Sequence, residues 1–446
     1  MRKLLLKFMA FMAMLCINGR TVCASLNTAS EFYLDNGMQV VVIPNHKAPL
    51  VWHGVMYRAG SVNDAFGKGG TAHLLEHLMF RGTKRIKSGR FNDFIEDNGG
   101  ESNAQTSYNY TLYYQLVSLQ SLEMAMYLEA DRMTRLDITN ENFSKERDIV
   151  FQERKQRLND SNGAFFEEDY DNLFWRGSPY GRPVGGTDED IKNLTKADVQ
   201  NFYNRYYAPN NAVLILAGDI DEATAKELAQ KYYGSIKRRD LPEAQNLRPA
   251  AQDSSFELKV KGKNLYYGRL IAKTKLPPLS ADNHQLHSWL LFADYFGDGR
   301  NSELDKLLID KYRLTVSAFS GVSVLSKDAN VFYLYSRFTD SAQAPKVAKI
   351  FQEAMANAAK NLTAKRLQEL KEQNIAAQVY LNDNPQQVGT FAAYWLSAGY
   401  TLADLQHFED NLRKVSLQDM RQVAQTLAKA PINWGTLLPQ GGANVR

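Results

Sequence analysis

Two rhythms of apolar residues alternate along this chain. From Glu31, Phe32 and Leu34 alternate with polar neighbours, and the run Val40 to Ile43 follows, bracketed by Asn36-Gly37 and Pro44-Asn45; this reads as strand, turn, strand. A further apolar strand covers Val51 to Arg58. After the loop 64–70, Leu74, Leu75, Leu78, Met79 and Phe80 recur at helical spacing, with Thr71 placed to cap the helix. Leu112 to Val117 reads as a strand, Leu119 to Leu136 as a helix, and Glu141 to Leu158 as a long polar-rich helix. The helix Lys196 to Tyr206 and the strand Ala212 to Ala217 close the first half. The stretch 236–255, rich in charge, proline and alanine, predicts a domain boundary. Beyond it the pattern repeats: strand Leu265 to Ala272, helix Asn283 to Phe296, strands Val316 to Val324 and Val331 to Phe338, then helices near Lys346 to Ala359, Ala364 to Tyr380 and Leu417 to Ala428. Strands and helices mix without a strict βαβ rhythm. The expectation is an α+β fold of two similar domains, 25–240 and 256–446, each a mostly antiparallel sheet packed against helices. No clear residue-level repeat accompanies the similar order of elements.

The first two dozen residues follow a third pattern. Arg2, Lys3 and Lys7 lead into an apolar run from Phe8 to Ile17, and Val22-Cys23-Ala24 precedes Ser25. This is the layout of a secretory signal cleaved after Ala24, with an apolar run too short to span a bilayer. Export to the periplasm or the medium is therefore expected, with no stable membrane insertion. The signal carries Arg2, Lys3, Lys7 and Arg20 and no acid, so the formal charge of +4 on the whole chain falls to zero on cleavage. A sequence-independent nucleic-acid footprint then has no support. Both cysteines, Cys16 and Cys23, leave with the signal. An exported chain without thiols has no disulfides, and any metal site in it must be built from His, Asp and Glu.

The string His73-Leu74-Leu75-Glu76-His77 meets that requirement. On a helix, residues three and four apart share a face, so His73 and His77 point the same way with Glu76 beside them. The pattern is the inverted form of the His-Glu-x-x-His zinc-peptidase signature. A catalytic zinc needs a third protein ligand and an open fourth position. The helix from Glu141 to Leu158 offers Glu146 and Glu153, seven apart and so on one face; one could ligate and the other orient a ligand. The same segment also reads as an ordinary salt-bridged helix, and spacing alone does not choose between the two acids.

The segment Gly69 to Thr83, centred on that string, resembles the active-site segment of the pitrilysin/insulysin family of inverted zincins, and within it the branch of the mitochondrial processing peptidase and its bacterial relatives. Gly60-Ser61, Asn103-Ala104 with Thr106 and Thr111, Pro179-Tyr180-Gly181 and Tyr207-Ala208-Pro209-Asn210-Asn211 extend the resemblance over most of the first half. The resemblance implies a zinc endopeptidase with one Zn2+ per chain. Glu153, which lies 76 positions after His77, is then the third ligand, Glu146 supports the site without ligating, and Glu76 is the general base. The family's edge strand, which pairs with the backbone of a peptide substrate, falls on Gly99 to Thr106 and makes Asn103 and Ala104 substrate-binding residues.

One departure stands out. The family's second half contributes an Arg, and seven residues later a Tyr, to hold the substrate carbonyl. Ile309 and Val316 occupy those positions here, and neither side chain can donate a hydrogen bond. The family's working enzyme is a clamp of four similar domains, and this chain supplies two. The expected arrangement is a heterodimer with a homologous subunit that lacks the zinc motif and supplies the Arg and Tyr. A homodimer, with Tyr335 or Arg337 as the donor, is the alternative. The rival reading is a non-catalytic family member kept for assembly. Among other histidines, His284 and His287 lie three apart on a predicted helix and read as an exposed pair. The cluster Tyr108, Tyr110, Tyr113 and Tyr114 reads as strand packing.

Overall fold

A computed structural model describes residues 24–440, apart from 161–162, 244, 264 and 282–283. Residues 1–23 of the expected signal lie outside them. The described chain builds two sheets. The first contains β1 (Ser30–Tyr33), β2 (Gln39–Pro44), β3 (Leu50–Tyr57), β4 (Glu101–Thr106), β5 (Thr111–Ser118) and β6 (Ala212–Gly218), in the order β1-β2-β6-β3-β5-β4. The second contains β7 (Glu257–Gly262), β8 (Gly268–Leu276), β9 (Ser317–Ser326), β10 (Ala329–Phe338) and β11 (Asn433–Pro439), in the order β7-β11-β8-β10-β9. With β1 set aside, the two orders are the same: first strand, last, second, fourth, third. In both sheets the first and last strands pair in parallel and every other pairing is antiparallel. The fold is α+β, with mostly antiparallel sheets, as the alternation predicts.

The first sheet is buried on both faces, which is why β2, β3 and β6 read as nearly continuous apolar runs. Val40 and Val42 face one core, and Val41 and Ile43 face the other. The main helices of the first half are α1 (Thr71–Leu78), α2 (Arg90–Asp97), α3 (Leu119–Arg135), α4 (Asn140–Asp160), α5 (Ala164–Trp175), α6 (Lys196–Tyr206) and α7 (Glu222–Tyr233). In the second half the main helices are α8 (Gln285–Gly297), α9 (Ala344–Asn361), α10 (Ala364–Asn382), α11 (Pro385–Ser397) and α12 (Leu417–Lys429). The halves exchange cover: α11 packs on β3 and β6 of the first sheet, and α5 packs on β11 of the second. Gly389 makes the first contact close, since a Cβ there would lie 2.2 Å from the Trp52 ring. At the other junction the Tyr170 hydroxyl donates to the Asn433 carbonyl at 2.8 Å.

Several predicted bounds shift. β8 begins at Gly268 because Tyr266 and Tyr267 sit exposed in a loop; their aromatic character mimics a strand. The weakly apolar edge strand β7 and the helices α2, α5, α7 and α11 escape the pattern reading. Among the described residues no helix or strand lies between Tyr233 and Glu257. Among the described residues no helix is long and apolar enough to cross a membrane.

Candidate metal centre

The helix α1 has only two turns, so its ends decide where its side chains point. Thr71 is its first helical residue and does not cap it as expected. Gly70 occupies the cap position with φ of 85°, a conformation that glycine adopts without strain. The missing cap is supplied from outside the helix. The buried Asp64 carboxylate accepts the N–H of Gly70 at 2.8 Å and of Ala72 at 3.0 Å. Burial pushes its pKa up to about 7, against the pull of those N–H groups.

So anchored, α1 presents His73 and His77 together, with ring centroids 4.9 Å apart and planes nearly perpendicular. The helix α4 runs alongside α1 and brings both acids of its predicted face to them. Glu153 Oε2 lies 3.5 Å from His77 Nε2 and 3.9 Å from His73 Nε2. One donor atom from each of these three residues falls within 4.8 Å of the others, and this is the only such group among the described residues. Glu146 is drawn elsewhere. Its carboxylate is 1% exposed, receives His77 Nδ1 at 3.3 Å and lies 2.6 Å from Arg81 Nε. Glu153 is 55% exposed and opens to the cleft. The structure therefore separates two acids that spacing left equivalent: one faces the two imidazole Nε2 atoms and the other braces the back of His77.

The electrostatics follow from these neighbours. Burial and the adjacent His77 push the pKa of His73 down to about 4. Burial acts the same way on His77, but hydrogen bonds to Glu146 and Glu153 outweigh it and raise its pKa to about 9. The hydrogen bond with His77 holds the Glu153 carboxyl below its usual range. Burial raises the Glu76 carboxyl above its own, although the Thr106 hydroxyl donates to Glu76 Oε2.

His73, Glu76, Thr106 and Glu153 border a cavity of about 350 Å³ that also touches Arg154, Arg157 and Val184. The strand β4 forms its rim at the edge of the sheet. Ala104 stands on that edge, and its N–H is occupied by the Asn103 side chain at 2.8 Å. A strand added there must displace the Asn103 amide first.

Two nitrogens, one carboxylate oxygen and a base beside them suit a borderline divalent ion such as zinc, with a position left over for water. His77 has its second nitrogen held by a carboxylate, the usual support for a metal-bound imidazole. The donor set therefore fits zinc.

Among its described residues the second half holds no such group. Its corresponding helices, α8 and α10, meet through Asn374 donating to Asp294 at 2.8 Å. His284 and His287 do not form the expected exposed pair. His287 is fully buried against Phe408, and His284 lies 3.4 Å from Asp419, because α8 turns this face into the core. Tyr110 and Tyr113 pack in the cores as expected, and Tyr114 packs beside them against Trp52, whereas Tyr108 borders a cavity next to the metal group. Ile309 falls in a wide helical turn over Asp305–Lys311, and Val316 is exposed just before β9. Asp64, Thr106 and Arg157 went unassigned in the sequence reading, since no local pattern links a loop acid, a strand end or the next turn of α4 to the two histidines.

Known proteins resemble this chain in sequence and in fold. The profile described as "Insulinase (Peptidase family M16)" matches residues 39–188, and the one described as "Peptidase M16 inactive domain" matches residues 193–374. The Zinc protease PqqE of Helicobacter pylori is 33% identical over 67% of this chain and 67% of its own length. The mitochondrial-processing peptidase subunit beta of Saccharomyces cerevisiae is 29% identical over 50% of this chain and 48% of that protein. The crystal structure of a protease from Helicobacter pylori superposes with a TM-score of 0.84 at 26% identity, covering 92% of this chain and 99% of that one. The chain belongs to peptidase family M16.

Proposed function

We propose that this chain is a zinc-dependent endopeptidase that cleaves peptides or unfolded protein segments. The observation that carries the reading is the convergence of His73 Nε2, His77 Nε2 and Glu153 Oε2, with Glu76 in the cavity that His73 and Glu153 line. His73, His77 and Glu153 would hold the ion. When bound, zinc supplies Lewis acidity that brings the pKa of water down to about 7.

The chain's own groups do the rest. Glu76 takes a proton from the attacking water and returns it to the leaving amine, with its carboxylate aimed by Thr106. Glu146 and Arg81 hold His77 in the tautomer that turns Nε2 toward the cleft. Once the Asn103 side chain releases the Ala104 N–H, the outer edge of β4 offers main-chain hydrogen bonds at Ala104, with the Asn103 amide beside it, to grip an extended peptide without demanding one sequence. Zinc analysis and peptide digestion of the wild type and Glu76→Gln test the reading. The variant should keep its metal and lose turnover by about 10²- to 10⁴-fold; equal activity would remove the proposed base.

A second reading, a non-catalytic assembly subunit, draws on one observation: Ile309 and Val316 give the cleft no oxyanion donor. It leaves the braced His77 and the positioned Glu76 without a use. The same gap supports a heterodimer with a homologous subunit that lacks the zinc motif. In a homodimer the donors would be Tyr335, stacked on Phe319 at 4.9 Å, or Arg337, bonded to Ser317 at 3.1 Å. Copurification from the native host separates these arrangements, and a fully active monomer excludes both. The leader pattern supports export, and a mature N-terminus other than Ser25 would count against the cleavage site.

A further inference from the structure

Beyond the metal group, the cleft continues into a second cavity of about 250 Å³, bordered by Tyr108, Glu168, Asp171 and Arg182. Arg157 and Val184 line both cavities and so stand at their junction. Arg157 reaches this place because it lies one turn beyond Glu153 on the same face of α4.

The acids of the second cavity are satisfied without Arg157. Arg269 takes Glu167 at 3.0 Å, and Lys273 takes Asp171. Arg154 grips both oxygens of Glu168, at 3.1 and 2.9 Å, and also bonds Asp188. Arg154 is 10% exposed and fully committed. Arg157 is 49% exposed and makes one bond, to the Glu168 oxygen that Arg154 already serves. Arg182 bonds the carbonyls of Asp64 and Ala65 through Nη1, and its charge falls on the Asp64 carboxyl. The junction therefore holds one guanidinium, that of Arg157, whose ion pair duplicates a contact that Glu168 already has. An incoming carboxylate can take Arg157 from Glu168 and leave no buried acid unpaired. A guanidinium–carboxylate contact is charge-assisted and, when bidentate, selective for that planar shape.

We propose that the second cavity is a subsite for an acidic side chain of the substrate, Asp or Glu, close to the cleaved bond, with Arg157 as the specificity-determining residue. This rests on the peptidase reading. It assigns to the site a substrate class that the metal group alone leaves open.

The test measures binding separately from cleavage. Zinc-loaded Glu76→Gln protein is titrated calorimetrically with peptide pairs that differ only by Glu or Gln at successive positions. At one position the Glu peptide should bind about tenfold more tightly. Adding Arg157→Gln should bring the Glu peptide down to the affinity of the Gln peptide, and Arg157→Lys should restore part of the difference. Adding Arg157→Glu should reverse the preference toward a Lys peptide. Equal affinities at every position, or an Arg157→Gln change that weakens both peptides by one factor, would overturn the proposal. Digestion by the wild-type protein judges the peptidase reading on its own: a Glu preference in binding without any cleavage would leave the subsite standing and remove the enzyme.

Discussion

Of the two imidazoles in the cleft, one carries a proton at neutral pH in the metal-free protein. His73, at about 4, is already neutral, while His77, at about 9, is protonated between two carboxylates. A metal takes only the neutral ring, so its uptake near pH 7 should release one proton, from His77. The sign follows: as pH falls below about 9, the proton competes better and apparent zinc affinity should drop about tenfold per unit. Calorimetry in buffers of different protonation enthalpy reads the release, and a value of zero would contradict the assignment of Glu146 and Glu153 as partners of His77. The same pair of acids shows how far residue-level reading reaches. Their spacing places both on one face of α4, but only packing makes Glu146 a buried brace and Glu153 an open donor.

At the scale of the element, α1 depends on an anchor that its own sequence does not contain. A two-turn helix is marginal by itself, and Asp64 holds the N–H groups of its cap residue Gly70 and of Ala72 from a loop. Asp64→Ala should cost about 1 to 3 kcal/mol, because those groups stay buried without a partner. It should also weaken zinc binding in a chelator competition, since the histidines shift with the helix. Asp64→Asn keeps one acceptor and should fall between. An Ala variant with wild-type stability and zinc affinity would show that the helix needs no such anchor. Here the pattern of Leu74, Leu75 and Leu78 gives the helix and its buried face, while its true cap, six to eight residues upstream and packed against it, appears only in three dimensions.

For the molecule as a whole, the two halves hold each other through exchanged helices. Gly389 in α11 would gain helix propensity from an alanine, yet the added Cβ meets the Trp52 ring at 2.2 Å. Gly389→Ala should therefore destabilise by about 1 to 3 kcal/mol, measured by denaturant unfolding; a gain in stability would mean the halves do not press together there. Acid should also weaken the fold. Burial pushes both His53 and His287 down to about 4, from 6.5 in the unfolded chain. The unfolded state then binds protons that the native state refuses, so stability is intact above about 6.5 and falls as pH drops toward 4, by up to about 3 kcal/mol for each histidine. His287 has no hydrogen-bond partner on either ring nitrogen among the described residues. His287→Leu should flatten about half of that slope in unfolding curves taken from pH 7 to 4.5.

The sequence by itself determined the class of fold and the chemistry on offer. Alternation and helical spacing are short-range, so β2, β3, β6, α3, α4 and α6 could be read within a residue or two of their bounds, and the spacing of His73, Glu76 and His77 forces them onto one face. Tertiary structure decided everything that joins distant segments. It paired β2 with β6 across most of the first half, laid α11 of the second half over the first sheet, and sent Glu153 to the imidazoles while Glu146 went behind them. It also brought Asp64, Thr106 and Arg157 to the cleft. The physical reason is the same throughout: periodicity tells a side chain which face of its own element it occupies, but the partner of that face is set by burial of whole surfaces.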